Sequence, residues 1–333
     1  MSSLTEVARR AGVSVSTASR ALTGNARVSD SARARVQAAA DELHYVASAT
    51  AAGLATGHSR MVGVLAWELN RWFHAEALEG VQTAADEAGY DIALYRDTAT
   101  APSHDTLARF LARRRVDATI AIGLPLQRDE VSALKRFQRP VVGIGGRIEG
   151  LTTLGVDDVA IARLATEHLL SLGHQDIVHL GGTKVTAGTW TDSRRYEGFR
   201  AAMSAAGRAA RAHEAAYAID GGFRAAMSLL AHPHQRPTAI FAGSDEIAIG
   251  AVTAARQLGI LIPSQLSVIG IDDHYLSELF GVTTFRQEPR EYGNRAVRLV
   301  VQGMKDGISG FGEVFHPSEV SLVVRASTSA PPP

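Results

Sequence analysis

From Met61 onward the chain alternates short, β-branched, glycine-punctuated apolar runs with amphipathic stretches of helical period, and few folds satisfy that alternation. MVGVLA (61–66), IALY (92–95), ATIAIGL (118–124) and VVGIGG (141–146) read as strands. Their unbroken apolarity is that of strands covered on both faces, as in a parallel sheet with helices on either side. The pattern repeats with IVHLGG (177–182), AIFAGS (239–244) and SVIGID (267–272), separated by helical periods near 159–172, 193–206, 223–231 and 245–258. Two doubly wound α/β units therefore follow one another, the second opening around Val156-Asp157-Asp158. After Asp272 come TTFRQEP (283–289), a helical stretch (290–305) and a last strand VSLVV (320–324), a tail able to complete both sheets. The core is thus expected over 60–325, with an N-lobe at about 60–155 and 287–315 and a C-lobe at about 156–283 and 316–325. Residues 326–333 lack apolar periodicity and are expected to fray.

Residues 1–59 carry no strand pattern. Leu4, Val7, Ala8 and Ala11 fall at i, i+3, i+4, i+7; Gly12 interrupts; Ala18 and Leu22 lie four apart; Val36, Ala40 and Leu43 resume the period. Three short helices sharing one small core are predicted, a head over 1–46 followed by a hinge over 47–59. Ser3 with Glu6 forms a capping box, and Ser14 can cap the second helix, where Thr17 stands in place of the box's Glu. The chain is neutral overall, yet residues 1–60 hold seven arginines against four acids. Only the head could favour a polyanion.

The 333 residues contain no cysteine, which excludes thiol catalysis, disulfides and thiolate metal sites. No apolar run reaches the length of a membrane-spanning helix, and MSSLTEVARR has neither the basic start nor the apolar stretch of a signal peptide, so a cytoplasmic protein without membrane contact is expected.

Two helices joined at Arg10-Ala11-Gly12-Val13 form a helix-turn-helix candidate, whose second helix would enter a DNA major groove. With Ala18 and Leu22 inward, Val15, Ser16, Ser19 and Arg20 face outward. Arg20 can fork onto guanine O6 and N7, Val15 can touch a thymine methyl, and Ser16 can exchange one hydrogen bond with a base edge. Thr5, Thr17, Ser19 and Ser29, with Arg27 or Arg33, suit phosphates. Spacing alone leaves open an ordinary three-helix bundle with a solvated arginine face, and a Val15 half-buried in packing.

LTEVARRAGVSVSTASRALTG (4–24) followed by VSDSARARVQAAADELHYV (28–46) resembles the head of the lactose and galactose repressor family of bacterial transcription regulators. The resemblance continues to about Arg325 through EGVQTAADEAGYD, ATEHLLSLGH (165–174), RRYEGFRAAM (194–203), SDEIAIGA (244–251), GIDD (270–273) and TTFRQ (283–287). It implies a homodimer on a palindromic double-stranded DNA operator, and a core like that of periplasmic sugar-binding proteins that takes up a small effector. The family's base-reading pair falls on Val15 and Ser16, and its recognition-helix arginine on Arg20. The linker YVASATAAGLATGHS (45–59) departs from the pattern, lacking the Pro and Asn after Tyr45 and any Arg before Arg60. Leu54 is retained at the position where relatives wedge the minor groove. Either a hinge helix that folds only in the dimer on DNA or a plain flexible tether fits this segment.

In two-lobed α/β binders the ligand lies beyond the carboxyl ends of the strands. After MVGVLA comes the aromatic-rich loop 67–74, where Trp72 and Phe73 match the family's effector-facing rings; interlobe packing is the alternative for either ring. By the same resemblance Arg195 is the effector-gripping arginine and Asp272 the acidic effector ligand, with Tyr217 and Ser244 at two further pocket positions. Asp273 is expected to cap the following turn. Gly145-Gly146 replaces a pair that often carries side chains and leaves room on one wall. These residues suit a hydroxyl-rich effector, a mono- or disaccharide, with a purine or other planar metabolite as the alternative. No cofactor or metal is implied. GIGGRI (143–148) misses the third glycine of a dinucleotide loop, GxxxxGK, HExxH and GxSxG are absent, and His232-Pro233-His234 lacks helical ligand spacing, so the chain does not read as an enzyme. A solute-binding transport protein would share the core but would have no use for the head.

Overall fold

The computed structural model describes residues 3–22, 28–45, 58–97, 104–113, 116–124, 126–182, 190–308 and 312–332, which divide into two compact units. One holds the head helices α1 (Leu4–Ala11), α2 (Val15–Leu22) and α3 (Asp30–Glu42). The predicted capping box opens α1, with the Glu6 amide donating to Ser3 Oγ and the Ser3 amide to Glu6 Oε2. Gly12 ends it at φ 65°, and a Cβ there would meet nothing, so the glycine is needed for its backbone angle alone. Val7, Ala8, Ala11, Ala18, Val36 and Ala40 fill the small core, with Ala21 buried more fully than the expected Leu22. Side chains this short let the three helices approach closely. Arg10 forks onto Glu42 through Nε and Nη2 at 2.9 and 2.7 Å, joining α1 to the end of α3.

The other unit carries two sheets. Its first half comprises β1 (Met61–Trp67), α4 (Trp72–Ala88), β2 (Asp91–Asp97), α5 (His104–Arg113), β3 (Ala118–Ile122), α6 (Arg128–Arg136), β4 (Val141–Ile144) and β5 (Thr152–Gly155). The second half comprises α7 (Asp158–Ser171), β6 (Ile177–Leu180), α8 (Trp190–Ala205), β7 (Arg211–His213), α9 (Ile219–Leu230), β8 (Ala239–Ala242), α10 (Asp245–Gln257), β9 (Ser267–Asp272), α11 (Tyr275–Phe280) and β10 (Thr283–Arg286). The tail adds α12 (Pro289–Lys305), β11 (Phe315–Pro317) and β12 (Ser321–Val323).

The sheet orders are β11-β5-β4-β3-β1-β2 and β12-β10-β9-β8-β6-β7. Leaving aside the two tail strands, both lobes share one topology. β1 pairs parallel with β3 from Val62↔Ala118, and β6 pairs parallel with β8 from Ile177↔Ala239, while β12 lies antiparallel on β10. Winding reverses between those central strands in each lobe, so the loops at their carboxyl ends part and leave a crevice. The tail helix α12 lies against α4 so closely that a Cβ at Gly80 would stand 1.9 Å from the Arg290 carbonyl oxygen, and one at Gly293 2.2 Å from that of Ala77. Only paired glycines permit that crossing.

Three strands went unanticipated, because TTLG, RAH and FHP are too short and too polar to stand out as apolar runs. β11 pairs with β5, so the chain stays with the first sheet through Pro317 and returns to the second only afterwards. The expectation that 326–333 frays is overturned for Ser327 to Ser329. Ser327 is buried, its Oγ donating to the Val268 carbonyl and accepting the Thr283 amide, while the Val268 amide donates to the Ser327 carbonyl. Ser329 exchanges bonds with Ser267, and its carbonyl faces His174 Nε2 at 2.9 Å. Hydrogen bonds at the amino ends of β9 and β10 hold a segment that has no apolar period to reveal it.

Candidate functional site

The Ser14 hydroxyl accepts the Thr17 amide at 3.1 Å and so starts α2 as expected. It also lies 3.0 Å from the Ser16 hydroxyl and 2.8 Å from that of Thr17, which ties three hydroxyls at the helix tip. Burial of Ala18 and Ala21 turns the opposite face outward: Val15 is 44% exposed, Ser16 and Arg20 are exposed, and Thr17 and Ser19 are half-buried. The half-buried alternative for Val15 therefore does not hold. On the neighbouring helices Thr5 is exposed and Arg33 half-buried, and Ser29 caps α3 by accepting the Ala32 amide. Arg27 and Leu54 lie outside the described residues.

Between the two sheets lies a cavity of about 600 Å³, floored by strand ends from both. Trp67 ends β1 and Glu68 follows it, Gly123 follows β3, and Gly145 and Gly146 follow β4; from the other lobe come Gly182 after β6, Ser244 after β8 and Asp272 at the end of β9. Of the residues expected at the effector site, Phe73, Arg195, Tyr217, Ser244 and Asp272 line it. Trp72 does not. Its ring packs on His274 of the other lobe, with centroids 5.2 Å apart; successive residues of a helix project about 100° apart, and here Phe73 and His74 turn toward the cavity while Trp72 turns away from it. Lining residues that the sequence did not single out include Glu68, Arg71, His74, Asp158, Glu214 and Gln287. Their signal was positional, since His74 follows Phe73 and Asp158 follows the α7 cap Asp157.

Arg195 is buried and already engaged. Its Nε donates to Asp158 Oδ1 at 2.9 Å, and its Nη1 donates to the Gly243 carbonyl. Burial works against its charge, but facing Asp158, Tyr217 and Asp272 outweigh that, and the group stays protonated. Asp272 accepts from Gln287 Nε2 at 2.8 Å. Burial pushes its carboxyl up to about 8 against the pull of Arg195, and Asp245 and Glu246 push the same way. Its φ of 133° and the 58° of Asp273 put two successive non-glycine residues at positive φ, a strained strand end of the kind that marks ligand sites. Asp273 does not cap the turn as expected; it pairs with Arg286 and Arg325 at 2.7 and 2.6 Å, and His274 caps α11. Burial and then Arg71 hold His74 down at about 4, so the cavity wall carries a neutral imidazole. Ser244 caps α10 through its hydroxyl while lining the cavity.

Residues 3–48 match the model of bacterial regulatory proteins of the lacI family, and residues 166–328 match a periplasmic binding protein-like domain. Over 97% of both chains, the sequence is 32% identical to the HTH-type transcriptional regulator DegA of Bacillus subtilis. The chain belongs to the lacI family. It is a DNA-binding transcriptional regulator with an effector-binding core, from a family of regulators rather than enzymes. The regulator is also 30% identical, over 100% of its length and 98% of the relative's, to the transcriptional repressor PurR of Pectobacterium carotovorum. Its fold matches the lac repressor dimer bound to operator and the anti-inducer ONPF, with a TM-score of 0.85 and 26% identity over 99% of each chain. A CelR–cellobiose complex matches at a TM-score of 0.68 and 25% identity, covering 98% of this chain and all of the other. No described helix of the regulator is long and apolar enough to cross a membrane.

Proposed function

We propose that this regulator represses transcription as a homodimer on a palindromic operator, under the control of a neutral, hydroxyl-rich small molecule, a mono- or disaccharide, held between its lobes. The pairing of the cavity's charges carries the ligand reading. Arg195 is matched by Asp158, and Arg71 by Glu68 and Glu246. Among the described lining residues, Glu68, Asp158 and Glu214 outnumber Arg71 and Arg195, and burial keeps the Asp272 carboxyl protonated up to about 8. Arg71 is a second cation that the sequence reading did not supply, but its carboxylates occupy it. A phosphate or carboxylate would meet a net acidic wall. A ring of vicinal hydroxyls would find the further N–H groups of Arg195, the Asp272 acceptor, the Ser244 and Tyr217 hydroxyls and the flat face of Phe73.

On the DNA side, Val15, Ser16 and Arg20 are the base readers, and Thr5, Thr17, Ser19, Ser29 and Arg33 hold phosphates. Arg27 and the Leu54 wedge complete the assignment through the family resemblance. Support for a second copy comes from Tyr275 and Leu279, 68% and 76% exposed and one helical turn apart on α11. Footprinting on a selected operator should show two half-sites related by a two-fold axis, whereas one half-site bound by a monomer would refute the dimer. For the ligand, calorimetry with sugar and purine panels on wild type, Arg195→Ala and Asp272→Ala decides the class. A purine-like effector is the second reading, favoured by the PurR relatives and by the Phe73 face. Binding of a purine and of no sugar would establish it instead.

A further inference from the structure

Among the described residues, Arg71 reaches across the cavity from one lobe to the other. Arg71, the residue that starts α4 in the first lobe, donates from Nε to Glu246 Oε2 on α10 of the second lobe at 3.1 Å. Its guanidinium carbon stands 4.8 Å from the centre of the Tyr217 ring, also in the second lobe. Within its own lobe Nη1 donates to Glu68 Oε2 at 3.2 Å. Glu68 has a φ of 43°, a left-handed conformation at the end of β1. The Arg71 and Glu246 side chains are only 19% and 13% exposed, so solvent screens the pair less than it would a surface ion pair. Next along the chain, Trp72 adds its ring contact with His274.

The location gives the contact its meaning. Arg71 lines the cavity between the lobes, and with Glu246 it also lines a shallower depression formed by Asn70, Ile219, Phe223 and Gln257. The bridge therefore stands as a partition between the cavity and that outer surface. We propose that Arg71 is an interlobe bolt. It is a positioning residue that holds the lobes together through side chains of the protein itself, and so sets how much of the closed form the effector has left to stabilise.

A contact made only when the lobes are together shifts their equilibrium by its own free energy. The effector's apparent affinity, and with it the signal sent to the DNA, changes by the same factor. Glu246 and Tyr217 are the partners that matter for this, because Glu68 travels with Arg71. The proposal rests on the cavity being the effector site, but its test needs no effector.

The chain has no cysteine, so spin labels can be placed at Glu87→Cys on α4 and Ser228→Cys on α9, both exposed, without removing a native thiol. Double electron–electron resonance on labelled protein diluted into unlabelled chains then reads the interlobe distance. The labelled parent should give one dominant distance, and Arg71→Ala and the near-isosteric Glu246→Gln should each raise a longer-distance population roughly threefold or more. The double variant should go no further than Arg71→Ala alone, and Glu68→Gln should match the parent. Circular dichroism confirms that each variant is folded. Distributions unchanged in both Arg71→Ala and Glu246→Gln would overturn the proposal, as would additive opening in the double variant. A sugar panel that finds no ligand would defeat the effector reading above and leave this result standing.

Discussion

Asp158 lies 2.9 Å from Nε of Arg195 with both side chains buried, so the guanidinium faces the cavity as half of an ion pair rather than as a bare charge. The Asp158 carboxylate starts α7 in the second lobe and fixes the Arg195 fork, while the Gly243 carbonyl takes a second N–H. A ligand thus meets donors whose direction is set before it arrives, which lowers the ordering cost of binding.

Removing one member of that pair should strand a buried charge. Asp158→Ala is expected to destabilise the core by roughly 3–5 kcal/mol, and joint replacement of Asp158→Leu with Arg195→Met to recover most of the loss at the expense of effector binding. Urea unfolding measures both. A cost for Asp158→Ala within the range of surface substitutions, about 0.5 kcal/mol, would show that the pair is not sealed from water.

On the head, Arg20 and Arg33 should separate by function. Arg20→Ala is expected to lower affinity for the operator by about 1–3 kcal/mol while leaving binding to random DNA nearly unchanged. Arg33→Ala should weaken both and flatten the dependence on salt by about one unit of slope. Gel-shift titrations across salt concentrations distinguish them. Equal losses for both variants on both DNAs would reverse the assignment of base reader and phosphate contact.

How much of this was legible beforehand depended on whether a residue's role was local. The longer apolar strands of both lobes announced themselves by their runs, as TTLG, RAH and FHP did not, and the α1 box and the Ser14 cap by a spacing of three. Phe73, Arg195 and Asp272 were placed by the family resemblance, and strand-end logic alone reached only Asp272. Trp72 could not be told from Phe73, since sequence does not set which way a helix start is turned. Asp273 looked like a cap because caps are local, but its partners Arg286 and Arg325 lie 13 and 52 residues away. The Arg71–Glu246 bridge spans 175 residues and leaves no pattern at either end.

The C-terminal segment should matter to stability although no apolar residue advertises it. Ser327→Ala leaves the buried Thr283 amide and Val268 carbonyl short of a partner. The expected cost is about 1–3 kcal/mol, seen as a fall in Tm of roughly 2–4 °C for each kcal/mol. Differential scanning calorimetry reads it. An unchanged Tm would mean that the segment rests on the core without bracing it.

Asp272 should be a residue that binds ligand at the expense of the fold. Its folded carboxyl is raised from 3.8 to about 8, chiefly by burial. In the unfolded chain it ionises near the ordinary value, so across that window the folded state holds a proton that the unfolded state has lost. The folded form therefore loses stability as pH rises from about 4 towards 8. Asp272→Asn removes the titration, keeps a side chain of the same size, and places at φ 133° a residue type that tolerates positive φ comparatively well. The variant is expected to gain little Tm over wild type at pH 5 and several degrees at pH 8, and to lose effector binding at both. A Tm difference that stays constant with pH would show that Asp272 is ionised throughout, held so by Arg195. The stored cost would then lie in the backbone of the strand end rather than in the charge.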